Sequence, residues 1–322
     1  MPVTIDDVAK YAGVNKSTVS RALHGSYSIS ESTRKRIEQA VDELGYVGNL
    51  AAKMLASRRV NSIGVVFPPI ADKANQPFFM KILTVINAKA TANNVTVAIA
   101  TGHSSRELKS QVRLMHLERR VDGFILLSAD EEDLVRDYLQ EEKVPFVVLG
   151  TPGKQSQPLN SVDNDNYQLG ADAANYLIRR GHKKMVFFVD EIRGEFSRER
   201  LRGFLDVVGE DNCQVVNIFD TTFVKTDETA MVVLDDWLAI SIIERLRQQS
   251  IHVPQDISVL SFNNSYLSKL IEPKLTTYSI NIEQLGEEVV RVLQESIENE
   301  KIERVIVPFH LIERDSVRTI TG

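Results

Sequence analysis

The sequence predicts an all-α helix-turn-helix headpiece followed by a larger α/β body of two Rossmann-like lobes. Three observations carry this. The first sixty residues read as helix, turn, helix, loop, helix, with glycines at 13 and 45 as punctuation. From Val60 onward, near-continuous apolar runs rich in β-formers alternate with amphipathic stretches, the pattern of parallel sheets covered on both faces. That alternation breaks once, at the polar, Pro- and Gly-containing stretch 151–160, and then restarts. A chain of 322 residues is also longer than one core usually serves. The pattern divides the chain into a headpiece at 1–45 and a body from residue 60 onward.

In the headpiece, Thr4-Ile5-Asp6-Asp7 has the form of a capping box, with Thr4 as N-cap and acid in the first turn. Ile5, Val8, Ala9 and Ala12 recur at helical spacing, and Gly13 supplies a left-handed stop. Val14 fills the turn, and Asn15 is a good N-cap for a second helix, Lys16–Leu23. Val19, Ala22 and Leu23 are expected to face the core, which leaves Lys16, Ser17, Thr18, Ser20 and Arg21 pointing outward. His24-Gly25-Ser26 breaks the chain. Ser30 caps a third helix with the stripe Ile37, Ala40, Val41 and Leu44, and Gly45 ends it. Two short helices around a tight glycine-containing turn form a helix-turn-helix unit. A small three-helix bundle used only for packing shows the same pattern.

In the body, Ile63-Gly64-Val65-Val66-Phe67 reads as a strand, followed by a helix near 79–93 and a strand over 95–100. A helix near 105–120, the strand Phe124-Ile125-Leu126-Leu127, a helix near 131–142 and a strand over 145–149 complete the first alternation. The second begins with a helix near 167–180 stopped by Gly181, continues with the strand Met185–Val189, and runs on to Phe262. Clefts at the carboxyl ends of parallel strands are where ligands bind in such architectures.

Composition narrows the function. Hydrophobic residues at 43% and charged residues at 25% are ordinary globular values. The single cysteine, Cys213, excludes a disulfide framework and any multi-cysteine metal site, and fits a reducing compartment. Residues 1–8 lack a basic segment leading into an apolar run, and no uncharged stretch approaches the roughly 20 apolar residues of a membrane span. A cytoplasmic protein without membrane association is expected. No G-x-x-x-x-G-K-[ST], H-E-x-x-H, G-x-S-x-G or G-x-G-x-x-G occurs, and the six histidines show no metal-ligand spacing. We therefore expect no enzyme, no catalytic residue, no metal and no cofactor. Net charge is −6, but residues 1–60 hold nine basic side chains against six acidic ones, leaving the remainder at −9. An acidic body with a basic head suggests that only the head approaches a polyanion.

The second helix has the outward chemistry of a major-groove reader. Lys and Arg donate to guanine edges, Ser and Thr to bases or phosphate, and helix N-termini attract phosphate. The run Thr4-Ile5-Asp6-Asp7-Val8-Ala9-Lys10-x-Ala12-Gly13-Val14-x-x-Ser17-Thr18-Val19-Ser20-Arg21-Ala22-Leu23 resembles the DNA-binding headpiece of the lactose-repressor (LacI/GalR) family. The resemblance continues through Tyr46-x-x-Asn49-x-x-Ala52-x-x-Leu55, which looks like that family's hinge helix. It implies that Thr4, Asn15, Lys16, Ser17, Thr18, Ser20, Arg21 and His24 meet operator DNA. It further implies that Asn49, Ala52, Lys53 and Leu55 enter the minor groove. Leu55 matches the family's wedge, whose insertion costs a few kcal/mol of unstacking, offset by contacts that kinked DNA permits. Gly48 replaces the usual proline and Lys53 the usual arginine, so more ordering cost is expected to fall on DNA binding.

The body resembles the same family, and so a periplasmic-binding-protein-like fold. The resemblance implies a hinge at 46–59 and a body at 60–322, with a first lobe of about 60–160 and 282–307 and a second of about 161–281 and 308–322. Ser161-Val162-Asp163-Asn164-Asp165, followed by Gly170, matches the loop crossing into the second lobe, and Arg200-Leu201-Arg202-Gly203 matches the family's R-x-x-G element. Asp235 and Asn263 match strand ends that point into the cleft, and Pro77-Phe78-Phe79 offers an aromatic platform. The resemblance implies effector contacts from Phe78, Phe79, Asp163, Asn164, Arg200, Asp235 and Asn263. Such a set suits carbohydrate, whose hydroxyls need paired donors and acceptors and whose C–H faces need aromatic cover. Asn263 stands where the family commonly has aspartate, and Gly150 where some members place a sugar-binding acid. The interval from Gly203 to Asp235 looks short by about a dozen residues, roughly one helix with its loop. It reads either as a reduced second lobe or as residues missing from the sequence.

Within the family the closest resemblance is to maltose-operon repressors of Gram-positive bacteria, carried by stretches such as Arg120-Val121-Asp122-Gly123-Phe124 and Val162-Asp163-Asn164-Asp165-Asn166. The expected function is a repressor that binds a palindromic operator as a homodimer and is controlled by a small carbohydrate, of maltose or maltodextrin type, in the cleft. The chain ends at Ile320-Thr321-Gly322 without a heptad extension for tetramers. The alternative within the family is a regulator whose co-repressor is a phosphorylated carrier protein.

Overall fold

The computed structural model describes residues 3–23, 29–46, 59–69, 77–127, 133–150, 158–189, 195–217 and 227–320. The chain divides into two compact units, Met1–Val60 and Asn61–Gly322. The small unit consists of α1 (Ile5–Ala12), α2 (Lys16–Leu23) and α3 (Glu31–Leu44). Val8, Ala9, Ala12, Val19, Ala22, Ile37 and Ala40 form its core. Local chemistry sets each boundary. The Thr4 hydroxyl accepts from the Asp7 amide while the Asp7 carboxylate accepts from Thr4, and Gly13 and Gly45 end their helices in the left-handed conformation. The Ser30 hydroxyl accepts from the Thr33 amide. Arg36 then ties α3 to the end of α1 by donating to the Ala12 carbonyl at 2.9 Å. One expectation is corrected. Leu23 is 45% exposed rather than turned to the core, because it is the last residue of α2 and lies beyond the Val19–Ala22 stripe.

The large unit opens with β1 (Ser62–Val66), α4 (Pro77–Ala92), β2 (Thr96–Ala100), α5 (Ser105–Leu117), β3 (Gly123–Leu126), α6 (Leu134–Glu141), β4 (Phe146–Leu149) and β5 (Ser161–Asp163). It continues with α7 (Asn166–Arg179), β6 (Met185–Val189), α8 (Glu195–Val208), β7 (Cys213–Asn217), β8 (Ala230–Val233), α9 (Asp236–Gln248), β9 (Ser258–Phe262) and β10 (Thr276–Ser279). Next come α10 (Ile282–Asn299), β11 (Arg304–Ile306) and β12 (His310–Ile312). The strands make two six-stranded sheets, ordered β11-β5-β4-β3-β1-β2 and β12-β10-β9-β8-β6-β7. All pairs are parallel except β10 with β12. Central strands are buried along their whole length, as in Met185-Val186-Phe187-Phe188-Val189, because helices cover both faces. Ser161–Asp163, assigned from sequence to the second lobe, pairs inside the first sheet, so the crossing begins just after Asp163.

The chain crosses between lobes after β5, between β10 and α10, and between β11 and β12. One side chain joins all three crossings. Asn164, 2% exposed, donates from Nδ2 to the Ile280 carbonyl at 3.1 Å and the Val307 carbonyl at 2.8 Å.

The short interval noticed in the sequence falls between β7 and β8. In the first lobe the equivalent step, 101–122, carries α5, which shares one face of the sheet with α6. In the second lobe the step is only 218–229. Among the described residues, α9 is the one helix contributing to the core on the matching face. On the other face α7 and α8 cross closely: a Cβ on Gly170 would lie 1.9 Å from the Arg200 carbonyl oxygen, and one on Gly203 2.0 Å from that of Tyr167. Only glycine permits this approach, which seats Arg200 against the crossing segment.

Candidate functional site

In the small unit, α2 turns Asn15, Lys16, Ser17 and Arg21 to solvent and leaves Thr18 and Ser20 half-buried. The Arg21 Nε donates to the Ser17 carbonyl at 3.2 Å, which holds the guanidinium stem along the helix. Lys16 sits 2.9 Å from Asp6, both well exposed; an ion pair this exposed contributes little and yields readily to a phosphate. Thr4 is exposed, and the Asp7 carboxylate accepts from its amide at 2.9 Å and its hydroxyl at 2.6 Å. These bonds hold the Asp7 carboxyl below its usual range. The face is therefore a row of donors at a helix start. His24, Asn49, Ala52, Lys53 and Leu55 lie outside the described residues.

In the large unit, a cavity of about 370 Å³ opens between the lobes. The first-lobe wall is Pro77, Phe78 and Lys81 from α4 with Ile282 and Glu283 from α10. The second-lobe wall includes Asp235, Trp237, Asn263, Asn264, Tyr266 and Lys269. Of the residues expected from sequence, Phe78, Asp235 and Asn263 line the cavity.

The other four do not line it. Phe79 is buried in the core, its ring 5.8 Å from Phe67 and 5.4 Å from Phe78. Both phenylalanines sit on α4, which begins at Pro77, and successive helix residues point about 100° apart, so one faces the cleft and the other the sheet. Asn164 is spent on the crossings. Asp163 accepts from the Asn164 amide and from Asn166 Nδ2, each at 2.8 Å. Arg200, 5% exposed, donates from Nε to Asn166 Oδ1 at 2.9 Å and from Nη1 to the Leu234 carbonyl at 3.4 Å. Its guanidinium lies over the Phe262 ring at 4.7 Å and the Phe196 ring at 5.4 Å. Burial draws the Arg200 pKa down to about 10, opposed by the charges of Asp163 and Asp235. Asp163, Arg200 and Asp235 thus form one charge cluster, of which Asp235 reaches the cavity.

Asp235 caps α9, accepting from the Leu238 amide at 2.8 Å, and burial pushes its carboxyl up from 3.8 to about 6. The folded chain consequently takes up a proton between pH 6 and 4 that the unfolded chain does not. The favourable contribution is full below about pH 4 and is lost as pH rises through 6. Asp235→Asn keeps a capping oxygen without the charge. In urea unfolding it is expected to be more stable than the parent by about 1–3 kcal/mol at pH 8, with the advantage gone at pH 4. An advantage equal at both pH values would refute the buried carboxylate as its source.

The sequence reading missed Trp237, Tyr266, Lys81, Lys269, Asn264 and Glu283. A signal existed for the first: it is the one tryptophan of the chain and follows Asp235-Asp236 directly. Lys81 pairs with Glu283 at 2.8 Å across α4 and α10. Asn263 and Asn264 both have positive φ, and the loop is anchored by Arg314 donating to Asn264 Oδ1 at 2.7 Å. Aromatic faces beside alternating donors and acceptors equip the cavity to bind a polyhydroxylated ligand. Among the described residues, no group of three His, Cys, Asp or Glu could hold a metal. No described helix is long and apolar enough to cross a membrane.

Comparison with known proteins gives three family matches. Residues 4–49 match the bacterial regulatory proteins of the lacI family. Residues 61–217 match the periplasmic binding proteins and sugar binding domain of the LacI family, and residues 174–317 a periplasmic binding protein-like domain. The HTH-type transcriptional regulator MalR of Streptococcus pneumoniae serotype 4 is 33% identical over 340 residues, covering 98% of this chain and all of that one. Among solved structures, a complex of the transcriptional regulator CelR with cellobiose is 27% identical with a TM-score of 0.72, covering 98% of this chain and 99% of that one. The lac repressor dimer bound to operator and an anti-inducer superposes with a TM-score of 0.81 at 24% identity, over 99% of this chain and 100% of that one, and shows the shared fold.

Proposed function

The chain belongs to the lacI family of bacterial regulatory proteins, and on that premise we propose that it is a cytoplasmic, dimeric repressor of sugar-utilisation genes. Its headpiece (1–45) and hinge (46–59) read a palindromic operator, and its body (60–322) takes a small carbohydrate of maltose type between the lobes. The observation that carries this is the pairing, in one chain, of a donor-lined recognition helix with a cavity where Phe78 and Trp237 accompany Asp235 and Asn263. The description of a similar solved structure as a maltose operon transcriptional repressor, 25% identical over 81% of this chain with a TM-score of 0.74, supports the sugar class.

Dimerisation follows from energetics. One headpiece offers few base contacts, at about 1–3 kcal/mol for each good bidentate pair, and two-fold symmetry doubles them on a palindrome. The sugar acts only in so far as it binds the open and closed lobes unequally. In this mechanism Lys16, Ser17 and Arg21 meet bases and phosphates, Thr4 the backbone, and Leu55 the operator centre. Phe78, Asp235 and Asn263 touch sugar, with Arg200 reporting through Asp235.

Duplexes selected from a random library by the purified chain are expected to be palindromic, and maltose or a maltodextrin to raise the melting temperature by mass action. No preference for any palindrome over random duplex would refute the DNA half. For Arg21→Ala we expect a loss of roughly 5- to 100-fold on the selected operator, the value of one bidentate base contact, and far less on random duplex. Anisotropy titration checks this, and equal losses would remove Arg21 from base reading.

A further inference from the structure

The second-lobe wall of the cavity carries two large aromatic side chains left open to solvent. Trp237 is 50% exposed and Tyr266 73% exposed, and both line the cavity. Exposed aromatic surface in a concave site marks a place where a ligand supplies the missing cover.

A buried carboxylate sets their placement. Asp236, 1% exposed, accepts from the Ser265 amide at 2.5 Å through one oxygen, and from the Ser261 and Thr277 hydroxyls at 2.5 and 2.8 Å through the other. These bonds lock the start of α9 to the loop after β9. Trp237 follows Asp236, and Tyr266 follows Ser265, so the two rings are carried by the two ends of one short hydrogen bond. Asp235 and Asn263 line the same wall.

A pyranose ring presents an apolar C–H face and a rim of hydroxyls. The face stacks on an aromatic ring, and the rim needs acceptors and donors such as a carboxylate and an amide. One aromatic face covers one sugar ring; two on a wall fit two linked rings. We propose that Trp237 and Tyr266 form a paired stacking platform that selects a saccharide of at least two pyranose rings, with Asp235 and Asn263 holding hydroxyls of one of them. This rests on the carbohydrate reading above and adds the residues that sense ring number.

Because Trp237 is the chain's one tryptophan, its emission reports on this wall alone. The full-length chain is titrated with glucose, maltose, maltotriose and cellobiose while tryptophan emission and melting temperature are followed in parallel. At least one of the multi-ring sugars is expected to shift the emission and to bind about 10-fold or more tightly than glucose. Trp237→Ala and Tyr266→Ala are each expected to weaken that sugar by about 10-fold, with a smaller loss for glucose, and Trp237→Phe to restore most of it. Two results overturn the platform while leaving the carbohydrate reading standing. One is a sugar that raises the melting temperature with emission unmoved and both alanine variants unaffected. The other is an equal loss for glucose and the multi-ring sugar. If no saccharide stabilises the parent chain, the carbohydrate reading fails and the platform with it.

Discussion

Arg200→Ala is expected to abolish the sugar response and to destabilise the body by about 3 kcal/mol, the scale of removing one partner from a buried charge cluster. The guanidinium is buried beneath Phe196 and Phe262, and it donates to Asn166 and to the Leu234 carbonyl. Its removal takes from Asp163 and Asp235 the cation that attracts both, and from Asp235 the charge that opposes the effect of its burial. It also frees the residue just before Asp235, the one member of the cluster that lines the cavity. The headpiece is a separate compact unit, so operator binding at low temperature is expected to survive. Arg200→Lys is expected to recover part of the stability but not the response, because an ammonium cannot reproduce the planar fork. Urea midpoints and operator anisotropy with and without maltose check both parts. A full sugar response in Arg200→Ala would remove this residue from the effector mechanism.

Asn164→Ala is expected to cost roughly 2–6 kcal/mol, from two buried carbonyls losing a donor at about 1–3 kcal/mol each. The amide of Asn164 spans to Ile280 and Val307 and so ties the first lobe-to-lobe crossing to the other two. Asn164→Asp is expected to be at least as damaging, since a carboxylate would face two carbonyl oxygens in a buried site. The Val307 amide, which donates to the Asp163 carbonyl at 2.7 Å beside this junction, should exchange with solvent faster in either variant. A urea midpoint within about 0.5 kcal/mol of the parent, the range of neutral surface changes, would show that the crossings hold without this pin.

These residues mark where sequence reading reaches its limit. Arg200 and Asn164 stand out in sequence as members of motifs, and both were expected to touch the effector. Neither lines the cavity: Arg200 donates to Asn166 and the Leu234 carbonyl, and Asn164 to the Ile280 and Val307 carbonyls. Phe78 and Phe79 are equivalent apolar neighbours on paper, and only the packing of α4 decides that the first lines the cavity and the second fills the core. Leu23 failed for a related reason: a helical stripe is a local pattern, and what covers its last residue is not. Trp237 and Tyr266 sit at a helix start and in a short turn, where no period flags them.

By itself the sequence determined the local architecture: the capped helices around Gly13 and Gly45, the alternation of buried strands and helices, and the two lobes. Those features depend on groups within a few residues of one another, or on apolar periodicity, and both are written along the chain. The tertiary structure alone decided which polar and aromatic groups share the cavity. Its lining is drawn from four short segments, beginning at Pro77, Asp235, Asn263 and Ser279, distant in sequence and brought together by the two sheets. Each side chain's exposure there is set by the neighbours the fold supplies.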